Sequence, residues 1–295
     1  MARSEEIISS LDRSKIISLL RKGIRLDERR LTEVRPITVE TGVIQKAEGS
    51  AIVKLGNTIS IAGVKAEIGT PFSDTPNEGV LIVNAEFLPL ASPSFEPGPP
   101  DENAIEVARV IDRGIRSSQA ISLEDLAIIP GKRVWVIYVD VYVLNHDGNM
   151  IDCSSLATIA ALLNAKVPKV KVVGENNVEV LDEWVPLPVR DRPVSVTIAK
   201  INDTLIVDPS LEEEKIMDCR LTLTVNEKGQ ICAIQKGIGG SLTLDEIYKA
   251  IDIAEEVAKG IRDALPPLPD LKDVVWVVKE EAKEKLESEA EDSGG

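Results

Sequence analysis

Histidine and cysteine, which most often hold metals or form disulfides, are scarce in this sequence. The 295 residues contain one histidine, His146, and three cysteines, Cys153, Cys219 and Cys232. No two cysteines form a C-x-x-C pair, so the sequence predicts neither a disulfide framework nor a zinc site. We expect buried thiols in a reducing compartment, no metal and no cofactor. The lone imidazole is either a general base or a turn residue, and we favour the turn residue; the absence of a second histidine argues against metal ligation.

Long apolar runs are also missing. No stretch approaches the roughly 18 consecutive apolar residues that a membrane-spanning helix needs. The first residues, MARSEEIISSLDRSK, place acidic side chains where a signal peptide needs an apolar run. The sequence therefore predicts a cytoplasmic protein without a membrane partner.

Positive charge and aromatic rings are in short supply as well. Lysine and arginine number 34 against 49 acidic residues, which gives a net charge of −15, and aromatic residues make up 3% of the chain. A protein that coats nucleic acid needs clusters of cationic side chains over much of its surface. Any contact with nucleic acid is therefore expected to be local and mainly electrostatic, with few rings available for base stacking.

Strand and helix patterns alternate along the rest of the chain. In SAIVKLGNTISIAGVKAEIG, β-branched residues flank Gly56-Asn57, and this pattern predicts a hairpin. A helix is predicted to begin at Pro100 or Asp101, and residues 152–165 form a small-residue helix suited to close packing on a sheet. RPVSVTIAKINDTLIVDPS in the second half resembles the first-half pattern, which indicates an internal duplication.

These patterns divide the chain into two α+β lobes between terminal segments. The Pro-, Asn- and Gly-containing stretch near residues 166–185 suits a domain boundary. The end of the chain, KEEAKEKLESEAEDSGG, is typical of a solvated acidic helix that frays. We predict an N-terminal helix in residues 1–24, lobe 1 in 25–166, lobe 2 in 185–265 and an acidic tail in 266–295.

Several motifs carry a family resemblance: IRLDERRLTEVRPI, EGSAIVKLGNTISIAG, FEPGPPDENAIEVARVIDRGIR and DVYVLNHDGNMIDCSSLATIAAL. Together they resemble the RNase PH family of phosphate-dependent 3′-to-5′ exoribonucleases, and PNEGVLIVNAEFLPLA is most similar to the non-catalytic ring subunit of the archaeal exosome. The resemblance implies an α+β fold of two similar RNase PH-type lobes. The first is like domain 2 of ribosomal protein S5, with a β-α-β-α arrangement, and the second is a related α/β lobe.

The resemblance also locates the family's phosphate-binding turn at DGNMIDCS. Active members have a sequence similar to Asp-Gly-Gly-Thr-Arg-Thr-Ala-Ser there, and the arginine position is Ile151 in this chain. A guanidinium beside a helix N-terminus can hold phosphate, whereas isoleucine offers no donor. Asp147 and Asp152 are expected to repel phosphate further. Glu212 and Asp218 match the spacing of two catalytic aspartates in active members, and we interpret them as a vestigial acidic pair or as part of an acidic loop.

The helix ENAIEVARVIDRGIR offers arginines without a catalytic centre. Arg109 and Arg113 lie on one helical face and Arg116 adjoins it. Two readings stay open from the residues: the arginines pair with Glu106 and Asp112 within the helix, or they bind the backbone of single-stranded RNA. The resemblance favours RNA, because this subunit type contributes arginines of the corresponding helix to the RNA path.

A basic lead-in precedes the first lobe. The segment RLDERRLTEVR carries Arg25, Arg29, Arg30 and Arg35. These residues could face RNA or a partner subunit, and we expect the partner subunit.

The resemblance implies a function that depends on assembly. Three copies of this chain are expected to alternate with three copies of a catalytic RNase PH-like partner in a hexameric ring, with RNA-binding cap subunits on it. The chain itself would shape the partner's active site and position RNA for 3′-to-5′ phosphorolysis. The alternative is a catalytically competent phosphate-dependent exoribonuclease, which the acidic pair would support.

Overall fold

The computed structural model describes residues 10–174 and 176–279. The helices are α1 (Ser10–Leu20), α2 (Glu102–Ser118), α3 (Met150–Asn164), α4 (Leu211–Glu214) and α5 (Leu244–Arg262). The strands are β1 (Ile37–Thr41), β2 (Gly49–Leu55), β3 (Thr58–Gly69), β4 (Val80–Phe87), β5 (Ala127–Ile129), β6 (Arg133–Asn145), β7 (Lys166–Val173), β8 (Asn177–Pro186), β9 (Val194–Ile201), β10 (Thr204–Val207), β11 (Cys219–Val225), β12 (Ile231–Gly237) and β13 (Val277–Lys279). Within the described residues, none of the helices combines the length and apolar character needed to cross a membrane.

The first sheet has the order β1-β2-β3-β6-β4, with β5 beside β6. The predicted hairpin is confirmed: Leu55 pairs with Thr58 across the turn, and Gly56 has a φ of +58° that glycine adopts without strain. β4 runs parallel to β6 through the crossover helix α2, whose N-cap Asp101 accepts a hydrogen bond from the Ala104 N–H. The succession β4-α2-β6-α3 is the β-α-β-α arrangement that the resemblance implied.

Helix α3 forms the centre of the molecule. Every residue from Ile151 to Leu163 is buried, and the helix packs on β2 and β3 of the first sheet and on β9 of the second. A Cβ atom at Gly49 would lie 2.4 Å from the Ala161 carbonyl oxygen, so β2 and α3 approach more closely than a side chain allows. The predicted packing of a small-residue helix on a sheet is thus confirmed.

The second sheet is antiparallel throughout, with the order β10-β9-β11-β12. Helix α5 packs on β9 and β11, and α3 packs on β9. Buried hydroxyls link α3 to both sheets, since Ser154 bonds to Ser60 over 3.0 Å and Ser155 bonds to Ser195 over 3.1 Å. The polar groups of this interior helix are therefore satisfied on both sides.

The stretch between the two lobes is a hairpin. β7 and β8 pair antiparallel, and β13 joins β7 in parallel to complete a third sheet. Residues 277–279, placed in the tail from the sequence, therefore belong to a sheet. The predicted helix of the acidic tail beyond Lys279, and the start of the N-terminal helix before Ser10, lie outside the described residues.

Candidate functional site

Three arginines of the lead-in, Arg25, Arg29 and Arg35, are buried around Asp208. Arg35 bonds to both carboxylate oxygens, with Nη2 to Oδ1 at 2.7 Å and Nε to Oδ2 at 2.9 Å, and Arg29 Nη1 reaches Oδ2 at 2.9 Å. Arg25 is paired with Glu213 and donates to the Asp208 carbonyl oxygen at 2.8 Å. Our prediction that these arginines face a partner subunit is wrong, because acidic groups of the same chain take up their charge. Burial favours a raised pKa for Asp208, but the hydrogen bonds and charge of Arg35 outweigh it and lower that pKa.

Arg30 is the exception in the lead-in. It is exposed, and its backbone N–H donates to the Glu33 carboxylate at 3.1 Å. It is the only one of the four whose side chain is free to meet another molecule, within what the structure describes.

The arginine cluster also fixes the turn that precedes α3. Arg35 Nη1 donates to the Asp147 carbonyl oxygen at 2.7 Å, and Asn149 Nδ2 donates to Asp208 Oδ1 at 2.8 Å. Gly148 has a φ of +84°, and a Cβ atom there would lie 2.4 Å from the backbone of Ser210. The turn is therefore pressed against the segment that leads into α4.

His146 has a structural position in this turn. Its ring stacks on Phe95 with centroids 5.5 Å apart, and its Nδ1 accepts a hydrogen bond from the Gly148 N–H at 3.3 Å. Burial lowers the pKa of His146 to about 4, although the nearby Asp147 acts in the opposite direction. A neutral imidazole that accepts a hydrogen bond from the backbone agrees with the interpretation of His146 as a turn residue.

Asp152 points into the interior. Its Oδ1 accepts from the Thr197 hydroxyl and its Oδ2 accepts from the Thr197 N–H, both at 2.8 Å, and Asn149 Nδ2 also donates to Oδ2 at 2.8 Å. Our expectation that Asp152 would repel phosphate at the turn is therefore wrong, because this carboxyl joins α3 to β9. Burial raises the pKa of Asp152 to about 7.

This raised pKa predicts a pH-dependent stability. An unfolded Asp ionises near pH 3.8, so between about pH 4 and 7 the folded protein holds a proton that the unfolded chain has released, and stability falls as pH rises. Three pKa units correspond to roughly 4 kcal/mol. Asp152→Asn, which keeps the shape of the side chain, should remove this contribution and make the slope of unfolding free energy against pH, measured by urea titration from pH 4 to 7, less negative than in the wild type. Identical slopes for the two proteins would contradict this prediction.

Glu214 faces the N-terminus of α3. The Asn149 N–H donates to Glu214 Oε1 at 2.8 Å, and the partly buried side chain lines a cleft of about 260 Å³. The cleft is also lined by Asn103, Val107, Met150, Ile151, Leu211, Lys215, Met217 and Arg220. Burial raises the pKa of Glu214 to about 7, although the Asn149 N–H opposes the shift. The helix N-terminus, which attracts anions through its free N–H groups and dipole, thus already has a carboxyl group of the same chain.

The sequence patterns do not single out Glu214 as a site residue, because it lies in a run of three glutamates. Glu213 had a readable signal, because Ser210 and Glu213 have the spacing of a capping box, and the structure contains that box. Glu214 had no comparable signal, since its partner Asn149 is 65 residues away in the chain.

The two carboxylates of the predicted acidic pair have separate surroundings. Glu212 is exposed on α4, whereas Asp218 Oδ2 accepts from the Asn202 N–H at 2.6 Å and Oδ1 lies 3.7 Å from Arg13. Neither residue lines the cleft beside Ile151. No cluster of three potential metal-ligating side chains occurs in the described part of the chain.

The arginines of α2 differ in their partners. Arg116 Nε bonds to both oxygens of Asp112 at 2.9 Å, as the intrahelical alternative proposed. Arg113 donates to the neutral Gln235 side chain at 2.6 Å, and Arg109 is exposed without an ion-pair partner among the described residues.

Glu106 does not pair with Arg109. It accepts from Arg220 at 2.6 Å and from Gln235 at 3.3 Å. Arg109 and Arg113 therefore present their charge to solvent on one face, beside β12.

The fold and site define a class of protein: a two-lobed α+β chain whose central helix begins at a turn that accepts a carboxyl group of the same chain. The chain belongs to the RNase PH family, since it matches domain 1 of the 3′ exoribonuclease family over residues 33–168 and domain 2 over residues 191–257.

Individual relatives show which members of the family this chain is similar to. The chain is 55% identical over 258 residues to exosome complex component Rrp42 of Pyrococcus horikoshii, a match covering 87% of this chain and 94% of that protein. It is similar to a chain in the Archaeoglobus fulgidus exosome with RNA bound to the active site, with a TM-score of 0.80, 45% identity and coverage of 86% and 97%. A chain of an archaeal exosome core matches with a TM-score of 0.76, 43% identity and coverage of 86% and 95%.

Proposed function

We propose that this chain is a non-catalytic subunit of a cytoplasmic archaeal exosome. In this proposal it alternates with a catalytic RNase PH-type partner, three of each, in a hexameric ring that carries RNA-binding cap subunits, and it positions RNA for 3′-to-5′ phosphorolysis. Membership of the RNase PH family supports it, and so does the similarity to chains named as exosome components.

The observation that carries the proposal is the chemistry at the N-terminus of α3. Phosphorolysis needs inorganic phosphate held beside the scissile diester, and phosphate binding needs donors and positive charge. Here Ile151 is a buried aliphatic side chain, and Glu214 accepts the Asn149 N–H. A carboxyl group at this position competes with phosphate for the same N–H group and repels it when ionised.

The arginine face of α2, defined by Arg109 and Arg113, supplies the RNA contact in this proposal. Exposed guanidinium groups bind backbone phosphates without reading base identity, which suits a degradation complex. Arg116 lies on the adjoining surface, but Asp112 partly neutralises its charge. We therefore assign Arg116 a smaller share of the RNA contact.

The competing function is a competent exoribonuclease that uses Glu212 and Asp218. The hydrogen bond from Asn202 to Asp218 and the absence of Glu212 and Asp218 from the cleft lining favour the non-catalytic alternative. Catalytic carboxylates need a bound nucleophile within reach, and the position of the phosphate-binding arginine of active members is Ile151 in this chain.

One assay separates the two functions. The purified chain alone, incubated with single-stranded RNA, phosphate and Mg²⁺, should release nucleoside diphosphates at least about 10²–10³ times more slowly than the complex with its catalytic partner, because it lacks the charged donor. The complex with an inactivated partner serves as the control and should be equally inactive. Processive release of nucleoside diphosphates by the chain alone would overturn the proposal.

A further inference from the structure

Arg113 is held by a neutral side chain instead of a carboxylate. Its Nη2 donates to Gln235 Oε1 on β12 at 2.6 Å. Arg116, one turn further along α2, bonds to both carboxylate oxygens of Asp112. A carboxylate fixes a guanidinium and also neutralises it, whereas an amide oxygen fixes the guanidinium and leaves its full charge. Arg113 therefore keeps both charge and N–H donors for an anion from outside the chain.

The amide of Gln235 is itself held in one orientation. Its Nε2 donates to Glu106 Oε1 at 3.3 Å, so its oxygen faces Arg113. Turned the other way, the amide would direct its N–H groups at a guanidinium that can only donate, and its oxygen would face a carboxylate. Glu106 thus determines which end of Gln235 meets Arg113.

Glu106 has a charge that could also be taken up by an arginine of its own helix. Arg109 lies three residues further along α2, at a spacing that favours an ion pair. Arg220 of β11 takes up this charge instead, because its Nη2 donates to Glu106 Oε2 at 2.6 Å. The pair is partly sheltered from solvent, since 17% of the Arg220 side chain and 25% of the Glu106 side chain are exposed.

Gly237 leaves room for Arg220 to reach Glu106. Arg220 and Gly237 pair across β11 and β12, and a Cβ atom at Gly237 would lie 2.7 Å from Arg220 Nε. We call Arg220, Glu106, Gln235 and Arg113 the Gln235 network. The charges of Arg220 and Glu106 cancel, so the network has one remaining positive charge. That charge lies on Arg113, whose side chain is exposed on the arginine face of α2.

We propose that Gln235 is a positioning residue for RNA, which orients the Arg113 guanidinium for a backbone phosphate without neutralising it. Glu106 fixes the Gln235 amide, and Arg220 keeps Glu106 from pairing with the arginines of α2. The inference rests on the proposed function, in which Arg109 and Arg113 contact RNA. A guanidinium that is held in place before RNA arrives loses less conformational entropy on binding.

Two substitutions of Gln235 separate orientation from charge. Gln235→Met keeps the length of the side chain but removes the acceptor, so Arg113 stays charged and becomes free to move. RNA affinity of the complex reconstituted with its catalytic partner should fall about two- to tenfold, with an unchanged slope of log affinity against log salt. Gln235→Glu places a carboxylate against Arg113. Affinity at low salt should then fall about tenfold, and the slope should fall by roughly 0.7.

The controls distinguish positioning from a structural role. Gln45→Glu makes the same chemical change at an exposed position in the loop between β1 and β2, and it should leave RNA affinity nearly unchanged. In an Arg113→Ala background, Gln235→Met should cause no further loss of affinity, because no guanidinium is left to orient. A structural role for Gln235 would instead lower the melting temperature and would weaken RNA binding in both backgrounds. The mass of each complex must first show intact assembly.

Arg220 tests the far end of the network. Arg220→Gln leaves Glu106 free to pair with Arg109, and RNA affinity should fall about two- to tenfold although Arg220 lies outside the arginine face. Arg220→Lys keeps the positive charge beside Glu106 and should restore most of the affinity. Wild-type RNA affinity in Arg220→Gln, or an equal loss in both variants, would overturn the role of Arg220.

The outcomes separate this inference from the proposed function. If the wild-type chain fails to assemble with its catalytic partner, or if Arg113→Ala binds RNA as the wild type does, the proposed RNA contact fails and the role of Gln235 fails with it. If Arg113→Ala weakens RNA binding while Gln235→Met and Gln235→Glu bind RNA as the wild type does, only the role of Gln235 is overturned.

Discussion

Asp208→Asn is expected to lower the free energy of unfolding by about 3–5 kcal/mol, the usual effect of breaking a buried ion pair from one side. The variant leaves Arg29 and Arg35 buried without the carboxylate that accepts four of their hydrogen bonds, counting the Arg35 backbone N–H. Asparagine keeps the shape of the side chain and tolerates the φ of +50° at this position. The loss therefore reports on charge rather than on backbone strain.

Urea titration at pH 7 measures this effect without adding ions that screen the cluster. Asp203→Asn is the matched control, because Asp203 is exposed in the β9–β10 turn, and it should change stability by less than about 0.5 kcal/mol. A loss below about 1 kcal/mol for Asp208→Asn would mean that the cluster is not a net source of stability.

Elements with local signals could be predicted from the sequence. The hairpin at Gly56-Asn57 depends on two adjacent residues, and the start of α2 depends on Asp101 and an amide three residues later. Such interactions are encoded within a few positions, so the pattern contains them. The wrong expectations concern partners far apart in the chain.

The lead-in arginines illustrate this limit. Arg25 meets Glu213 from 188 residues away, and Arg35 meets Asp208 from 173 residues away. A basic segment looks exposed from its composition, since arginine is rarely buried without a partner. Only the fold supplies the carboxylates that make burial possible.

The run Glu212-Glu213-Glu214 shows the same limit within the candidate site. Glu212 is exposed, Glu213 pairs with buried Arg25, and Glu214 accepts from the N-terminus of α3. Three identical neighbours thus have three different roles, because α4 turns each side chain toward a different part of the molecule. The resemblance points to this turn through Ile151, whereas the position of the Glu214 carboxyl group beside it follows only from the 2.8 Å contact between Glu214 and Asn149.

Arg109→Ala with Arg113→Ala is expected to weaken RNA binding by the assembled complex on the order of a hundredfold at low salt, about tenfold for each charge-assisted phosphate contact removed. The slope of log affinity against log salt should fall by roughly 0.7 for each contact. The stability of α2 should change little, because among the described residues Arg109 has no ion-pair partner and Arg113 bonds a neutral amide. Degradation should slow chiefly through weaker engagement of RNA.

RNA affinity at two salt concentrations measures both quantities on the reconstituted complex. Because Arg113 bonds Gln235 of β12, the mass of each complex must first show that assembly is intact. The control variant Arg21→Ala with Arg30→Ala removes the same charge at two exposed positions, one in the turn after α1 and one in the lead-in. It should leave RNA affinity nearly unchanged. An equal loss in both pairs would indicate a nonspecific charge effect. Unchanged affinity and slope in the Arg109 and Arg113 variant would place the RNA path elsewhere and leave this chain a purely structural role in the ring.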